Sequence, residues 1–327
     1  MIKVNLSIIF VIIQFFSYQA FAENKIVFNE SLWNNWVEEF RIEAIEKGIS
    51  KNTLDLSLND VRFIPRVIEL DRRQPEFTMS FGEYIGRVVP KSRIIKGKKL
   101  LEDNKNILTK ISNEFKVQPR FIIALWGIET DFGRITGGFN VIDSLATLAF
   151  EGRRAKYFRK ELFNAIKIID QGHIVKKNMS GSWAGAMGQP QFMPSSFLNF
   201  AIDYNRDGKM DIWDTKEDIF ASIANYLQDV GWESSATWGR EVLIPKNFNN
   251  KYLDSKIFKK IDYWQKQGVR KINGNNLPKR DLKGKIITNK LDGKAFLVYQ
   301  NFDSILKWNR SNYFAIAVGQ LSDKIKN

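Results

Sequence analysis

The stretch Pro119-Arg-Phe-Ile-Ile-Ala-Leu-Trp-Gly-Ile-Glu-Thr-Asp-Phe-Gly133 decides how the chain is read. Pro119 suits the first turn of a helix, where its missing N–H costs nothing. Gly133 and the later Gly137-Gly138 suit its end. Phe121, Leu125, Ile128 and Phe132 keep the spacing of a core-facing stripe. Glu129 lies four residues after Leu125 and three after Trp126, at the edge of that apolar face. A carboxyl held against an apolar and aromatic wall is desolvated, which raises its pKa. Such a group is a candidate general acid near neutral pH. The plain alternative is a solvated glutamate at the stripe's margin, and spacing alone favours it.

Composition sets the frame around that helix. The 327 residues are 44% hydrophobic and 13% aromatic, enough for a sizeable core in one large domain or two smaller ones. Nine Trp and 25 Phe fit a deep cleft as well as a core. The formal net charge is +14 and the pI about 9.6, which points to an acidic partner. No nucleic-acid module stands out, so no nucleic-acid partner is expected. The absence of cysteine excludes disulfides, Cys-ligated zinc and thiol catalysis. One histidine, His173, rules out multi-His metal sites, and no nucleophile elbow accompanies it for a Ser-His-Asp triad.

Residues 1–22 read as a signal peptide. Lys3 is a short basic start, Leu6 to Phe16 an apolar core, and Ala20-Phe-Ala22 a cleavage site. The apolar run is short for a bilayer span. With no cysteine there is no lipobox. Export to the periplasm without a stable membrane anchor is expected, the catalytic domain being 23–327.

Helical spacing then runs through Phe28–Ser50 with Ser31 as cap, Thr53–Leu58, Arg66–Arg72, Gly82–Val89, Lys98–Phe115 and Leu145–Ile169. Further helices are expected at Glu217–Val230, Ser304–Lys307 and Ser311–Ile325. Met179 to Pro194 carries Gly181, Gly185, Gly188, Pro190 and Pro194, so it reads as a loop lined by Met, Trp, Phe and amides. Apolar walls with a few polar groups suit a sugar cleft; an irregular packed loop is the alternative. From about 238 to 301 Lys, Asn and Gly increase and two strands flank Leu291-Asp-Gly293, which reads as a small α+β insertion in a helical core of about 28–237 and 302–327.

Asp203-Tyr-Asn-Arg-Asp-Gly-Lys-Met-Asp-Ile-Trp-Asp214 follows the calcium-loop pattern of an EF-hand. Asp203, Asn205, Asp207, the Lys209 carbonyl, Asp211 and Asp214 stand at ligand positions, with Gly208 at the bend. Position twelve is Asp, not the usual Glu. A structural Ca2+ is expected, and no cofactor for the chemistry. The alternative is an Asp/Asn-rich surface turn.

Several blocks together resemble the B-type lytic murein transglycosylases: Ala124 to Arg134, Ser144 to Arg154, Gly181 to Ser196, Ala221 to Leu227, Trp308 to Val318 and Gln74-Pro-Glu-Phe77. The resemblance runs in order from about Trp33 to the C-terminus. It implies a mainly α (α+β), lysozyme-like fold. It also implies cleavage of the β-1,4 bond between N-acetylmuramic acid and N-acetylglucosamine without water, leaving a 1,6-anhydro end. Glu129 falls on the family's acid/base. Ser182, Gln191 and Asn309 fall on residues placed around that carboxylate and the sugar. Phe314 stands where some members have Tyr, and adjacent Tyr313 is a substitute. Arg153 and Arg154 match a family pair near the muropeptide or in the framework. The partner is the peptidoglycan glycan strand, other cell-wall enzymes stay open, and a monomer is expected.

The chemistry agrees with one acid. A hydrolytic glycosidase usually needs two carboxylates, whereas a transglycosylase needs one, because the substrate's C6 hydroxyl replaces water. Asp131, two residues on, points about 200° round the helix from Glu129 and reads as a surface acid at the helix end. A hydrolytic muramidase and a non-catalytic, calcium-stabilised wall-binding protein remain the rival readings.

Overall fold

The structure, a computed structural model, describes residues 28–72, 79–289 and 293–326. The leader stretch 1–22, the Gln74-Pro-Glu-Phe77 block and the turn at 290–292 lie outside the described residues.

The N-terminal half is built of helices: α1 (Glu30–Glu46), α2 (Lys51–Leu58), α3 (Pro65–Arg72), α4 (Phe81–Val88), α5 (Lys91–Asp103), α6 (Lys105–Phe115) and α7 (Pro119–Thr130). Asn29, not Ser31, caps α1: its side chain accepts the Leu32 N–H at 3.0 Å. The helix expected over 98–115 is two. Asn104 leaves the helical region at φ −108°, and its amide donates to the Leu100 carbonyl at 2.7 Å, closing α5. A side chain that bonds nearby backbone competes with the helix ladder at that point.

After β1 (Phe139–Asn140) come α8 (Val141–Glu151) and α9 (Ala155–Asp170), where a single helix from 145 to 169 is expected. Gly152 at φ 102° ends α8, since a left-handed residue cannot continue a right-handed helix. The chain turns through Arg153 and Arg154, whose guanidinium groups both pair with buried Asp71 at the end of α3. β2 (Ser180–Gly181) pairs antiparallel with β1, and the Met179–Pro194 stretch leads into α10 (Pro194–Phe200) and α11 (Lys216–Asp229).

β3 (Gly239–Leu243), β4 (Lys259–Lys260), α12 (Ile261–Lys266), β5 (Arg270–Lys271), β6 (Lys283–Asn289) and β7 (Lys294–Val298) follow, then α13 (Gln300–Trp308) and α14 (Asn312–Ile325). The five strands form an antiparallel sheet in the order β4-β6-β7-β3-β5. Strand alternation splits its faces. Ile287, Phe296 and Val298 enter the large core around α7; Ile286, Ala295, Leu297 and Tyr299 enter a separate small core with Trp264 and Leu277.

Two larger cores hold the helices. One joins α4–α7, α11, α13, α14 and the inner sheet face; the other joins α1–α3 and α8–α10 to Met179, Met187, Phe192 and Trp213 of the loops. Each fully buried Leu, Ile or Phe contributes about 1.5–3 kcal/mol relative to exposure. Trp308 packs against both cores and marks their seam. Helix α7 is apolar nearly all round: Phe121 to Gly127 are all buried, where a one-sided stripe is expected from the spacing.

Candidate active site

Helix α7 stops abruptly, and the stop sets the position of Glu129. Asp131, Phe132 and Gly133 all have positive φ (51°, 61° and 79°). For the two non-glycine residues this conformation costs of order 1–2 kcal/mol each. The surroundings hold it: the Phe132 N–H donates to the Trp126 carbonyl at 3.2 Å, and its ring folds back edge-on to Trp126. Gly127 leaves room for that ring, since a Cβ there would meet it at 2.7 Å. The last turn is tied to the Met179–Pro194 stretch: the Thr130 hydroxyl donates to the Gln189 carbonyl at 2.9 Å, and the Trp126 indole N–H to Gln189 Oε1 at 2.7 Å. The same amide donates to the Trp213 carbonyl at 2.6 Å.

Glu129 is half-buried at the seam of the two cores. The indole Nε1–H of Trp308 donates to its Oε1 at 2.7 Å. Trp308 is itself braced by Tyr226 (ring centroids 4.7 Å) and Phe192 (5.2 Å), and the Tyr226 hydroxyl donates to the Lys307 carbonyl at 2.7 Å. Trp308 and Gln189 were not singled out by the sequence. Trp308 stands beside Asn309 in a quoted block, but nothing local marks an indole at a helix end as the partner of a distant carboxylate.

Asp131 differs from the expected surface acid. Its side chain is 15% exposed and sits among Arg134 (2.6 Å), Arg93 (3.2 Å) and Lys96 (3.9 Å). Burial raises its pKa, but the hydrogen bonds from Arg134 and Arg93 outweigh that and leave it lowered. It is an anion held by cations.

Three of the expected substrate residues share one arrangement: part of the side chain's hydrogen-bonding capacity secures a loop and part has no partner among the described residues. Ser182 Oγ accepts the N–H groups of Ala186 (3.0 Å) and Ala184 (3.3 Å), leaving its O–H to donate. Gln191, at φ 55°, donates its amide to the carbonyls of Gly188 (2.9 Å) and Thr136 (3.0 Å), leaving Oε1. Asn309 Oδ1 accepts the Ser311 N–H at 3.1 Å, leaving its amide NH2. Tyr313 instead packs against Phe81 (5.2 Å) and Tyr84 (5.6 Å) of α4. Arg153 and Arg154 are occupied by Asp71 and lock the α8–α9 corner to α3.

The 203–214 loop is organised by its own side chains. Asp203 accepts the N–H groups of Gly208 (2.9 Å) and Asp207 (3.1 Å), Asn205 that of Asp207 (3.1 Å), and Asp207 that of Lys209 (2.9 Å). Asp211 accepts from the Trp213 and Asp214 N–H groups and the Thr215 hydroxyl at 2.9–3.0 Å. Asp218, fully buried in α11, accepts the backbone N–H groups of Tyr204 and Asp211 at 2.8 Å. Burial raises the Asp218 pKa, against these hydrogen bonds. His173 accepts the Met210 N–H at 3.2 Å, and burial lowers its pKa. Asp203, Asn205, Asp207 and Asp211 thus all accept local hydrogen bonds, and their oxygens are of the kind a hard cation takes. Among the described residues no three His, Asp or Glu side chains converge as a ready metal group.

Comparison with known proteins places this geometry in context. The family described as Transglycosylase SLT domain matches residues 32–323. A curated relative, membrane-bound lytic murein transglycosylase B of Escherichia coli, is 31% identical over 220 residues, 64% of this chain. The match spans 58% of that relative's length. SltB3 from Pseudomonas aeruginosa, solved in complex with NAG-NAM-pentapeptide, superimposes with a TM-score of 0.87 and 38% identity, covering 90% of this chain and 80% of that one. Escherichia coli Slt35 in complex with calcium gives 0.74 and 26%, covering 88% and 92%.

Proposed function

The chain belongs to the transglycosylase SLT family, and on that footing we propose that it is a lytic transglycosylase cleaving the β-1,4 MurNAc–GlcNAc bond of peptidoglycan without water. The observation that carries this reading is the half-buried carboxylate of Glu129 at the seam of two cores, where it accepts a hydrogen bond from the Trp308 indole. Its chain neighbour Asp131 is engaged by three cations.

The reaction needs one proton moved twice. Glu129 as the acid gives its proton to the leaving glycosidic oxygen, and C1 develops positive charge. The substrate's own N-acetyl group shares that charge. Glu129, now a carboxylate, takes the proton of the C6 hydroxyl as that oxygen closes onto C1, restoring the acid and forming the 1,6-anhydro ring. Trp308 fixes the carboxyl orientation, which a group acting in both directions requires. The Ser182 O–H, the Gln191 Oε1 and the Asn309 NH2 are suited to the sugar, and the complex of SltB3 with a muropeptide supports a ligand of that kind.

The loop 203–214 is proposed to hold a structural Ca2+ through Asp203, Asn205, Asp207, the Lys209 carbonyl, Asp211 and Asp214; the calcium complex of Slt35 supports this. With 1–22 read as a cleaved leader, the enzyme works in the periplasm. Among the described residues no helix is long and apolar enough to cross a membrane.

Mass spectrometry of muropeptides after digestion of purified sacculi tests the reaction. The expected products end in 1,6-anhydromuramic acid; reducing muramic ends would make the protein a hydrolytic muramidase. Glu129→Gln is expected to abolish lysis while sacculus binding persists, and surviving lysis would remove Glu129 from the mechanism.

A further inference from the structure

We propose that residues 238–301 carry a second binding surface, apart from the Glu129 seam, for an anionic polymer bearing carboxylates; resting on the function above, that polymer is the peptide-substituted glycan strand.

The charge of the protein is concentrated there. This stretch holds 15 of the 50 Lys and Arg but only 5 of the 36 Asp and Glu, so it carries +10 of the formal +14. Crowded like charge destabilises a folded unit. Seven exposed cations, Lys246, Lys251, Lys256, Lys259, Lys279, Arg280 and Lys283, have no carboxylate at ion-pair distance among the described residues. Lys260 on β4 stands directly opposite Lys283 on β6, a like-charge cross-strand pair that costs stability. Lysines on an edge strand also deter strand pairing, which accounts for Lys259 and Lys260. It does not account for Lys251, Lys279 and Arg280, which lie outside the strands.

The surface lies away from the chemistry. The inner sheet face packs on the core containing α7, and the cations flank the small core on the outer face. Two adjoining cavities of about 440 and 530 Å³ open there and share Lys260 and Asp281, which are paired at 2.9 Å. Lys279 and Arg280 line the first, Lys283 the second. In the same segment Tyr252 and Tyr263 join hydroxyls at 2.6 Å, with the Lys251 and Lys259 ammonium groups 5.0 and 5.6 Å from the respective ring centroids. Trp264 supports both rings from the small core. Aromatic faces suit sugar rings and the ammonium groups suit carboxylates. A bilayer is the weaker fit, because the cations are spread over loops and α12 has only six residues.

The test uses the full chain carrying Glu129→Gln, so that the polymer is bound and not cut, in co-sedimentation with purified sacculi. Adding Lys251→Gln, Lys259→Gln, Lys279→Gln and Arg280→Gln is expected to weaken binding about tenfold at low salt, with the gap closing at high salt. The same four changes in the active enzyme are expected to leave turnover of short soluble muropeptides unchanged. The conservative set Lys251→Arg, Lys259→Arg, Lys279→Arg and Arg280→Lys is expected to keep sacculus binding. Unchanged sedimentation of the Gln set overturns the proposal. So does loss of binding in both sets, or, in a parallel co-sedimentation with phosphatidylglycerol vesicles, a loss of binding to the vesicles with none to sacculi. Hydrolytic products in the muropeptide assay would defeat the reaction assignment alone, because sedimentation reads binding and not cleavage.

Discussion

At the scale of the residue, Trp308 is a side chain through which the fold reaches Glu129. A hydrogen bond to a charged group contributes about 1.5–3 kcal/mol, and that bond must serve both the acid and the base form. Trp308→Phe removes the donor but keeps an aromatic ring at the seam. The expected result is a kcat lowered roughly 10- to 100-fold, with KM little changed. Steady-state kinetics on a soluble muropeptide checks it, and an unchanged kcat would count against the positioning role. Asp131 gives a prediction in pH. Its folded pKa is below the unfolded value, so the stability it contributes is present above the ordinary carboxylate range and is lost as pH falls through the folded value. Asn tolerates the left-handed backbone at this position. Asp131→Asn is therefore expected to lower the melting temperature at pH 7 and to converge on the wild type in acid, which thermal melts across pH would show. A gap that persisted in acid would place the effect elsewhere than in the charge.

At the scale of the element, the informative features are the breaks. The apolar period runs on past Asn104 and Gly152, so periodicity alone joins α5 to α6 and α8 to α9. The structure separates them because local side-chain bonds and the Asp71–Arg153–Arg154 cluster hold the chain in other directions. Element packing also sets a steric test at Gly319, in the middle of α14. A Cβ there would come within 2.2 Å of the Trp238 ring, which is buried and donates its indole N–H to Asp323 at 2.9 Å. Alanine would improve helix propensity by about 1 kcal/mol, but displacing a buried indole costs more. Gly319→Ala is expected to be net destabilising by about 1–3 kcal/mol by chemical denaturation; a more stable variant would show that the contact relaxes freely.

At the scale of the whole molecule, two cores meet along a seam, and the small sheet places a third, strongly basic layer beyond one of them. The 203–214 loop connects α10 to α11, one on each side of the seam. Chelation with EGTA is expected to lower the melting temperature in calorimetry, with recovery on adding Ca2+, since a ligand of the folded state stabilises by mass action. Identical melts with and without chelator would leave the loop as a self-bonded turn. The sequence by itself determined the start of α7 at Pro119, the place of Glu129 on it and the irregularity of Met179–Pro194, because these follow from local period and backbone preference; the lysozyme-like fold class followed from the resemblance of the ordered blocks to a known family. Tertiary structure alone decided that Trp308 holds Glu129 across 179 residues of chain, that Gln189 joins α7 to two loops, and that Arg153 and Arg154 bind Asp71. The reason is physical: local propensity is written in neighbouring residues, but the partner of a half-buried polar atom is chosen by whichever distant segment the packing brings within about 3 Å.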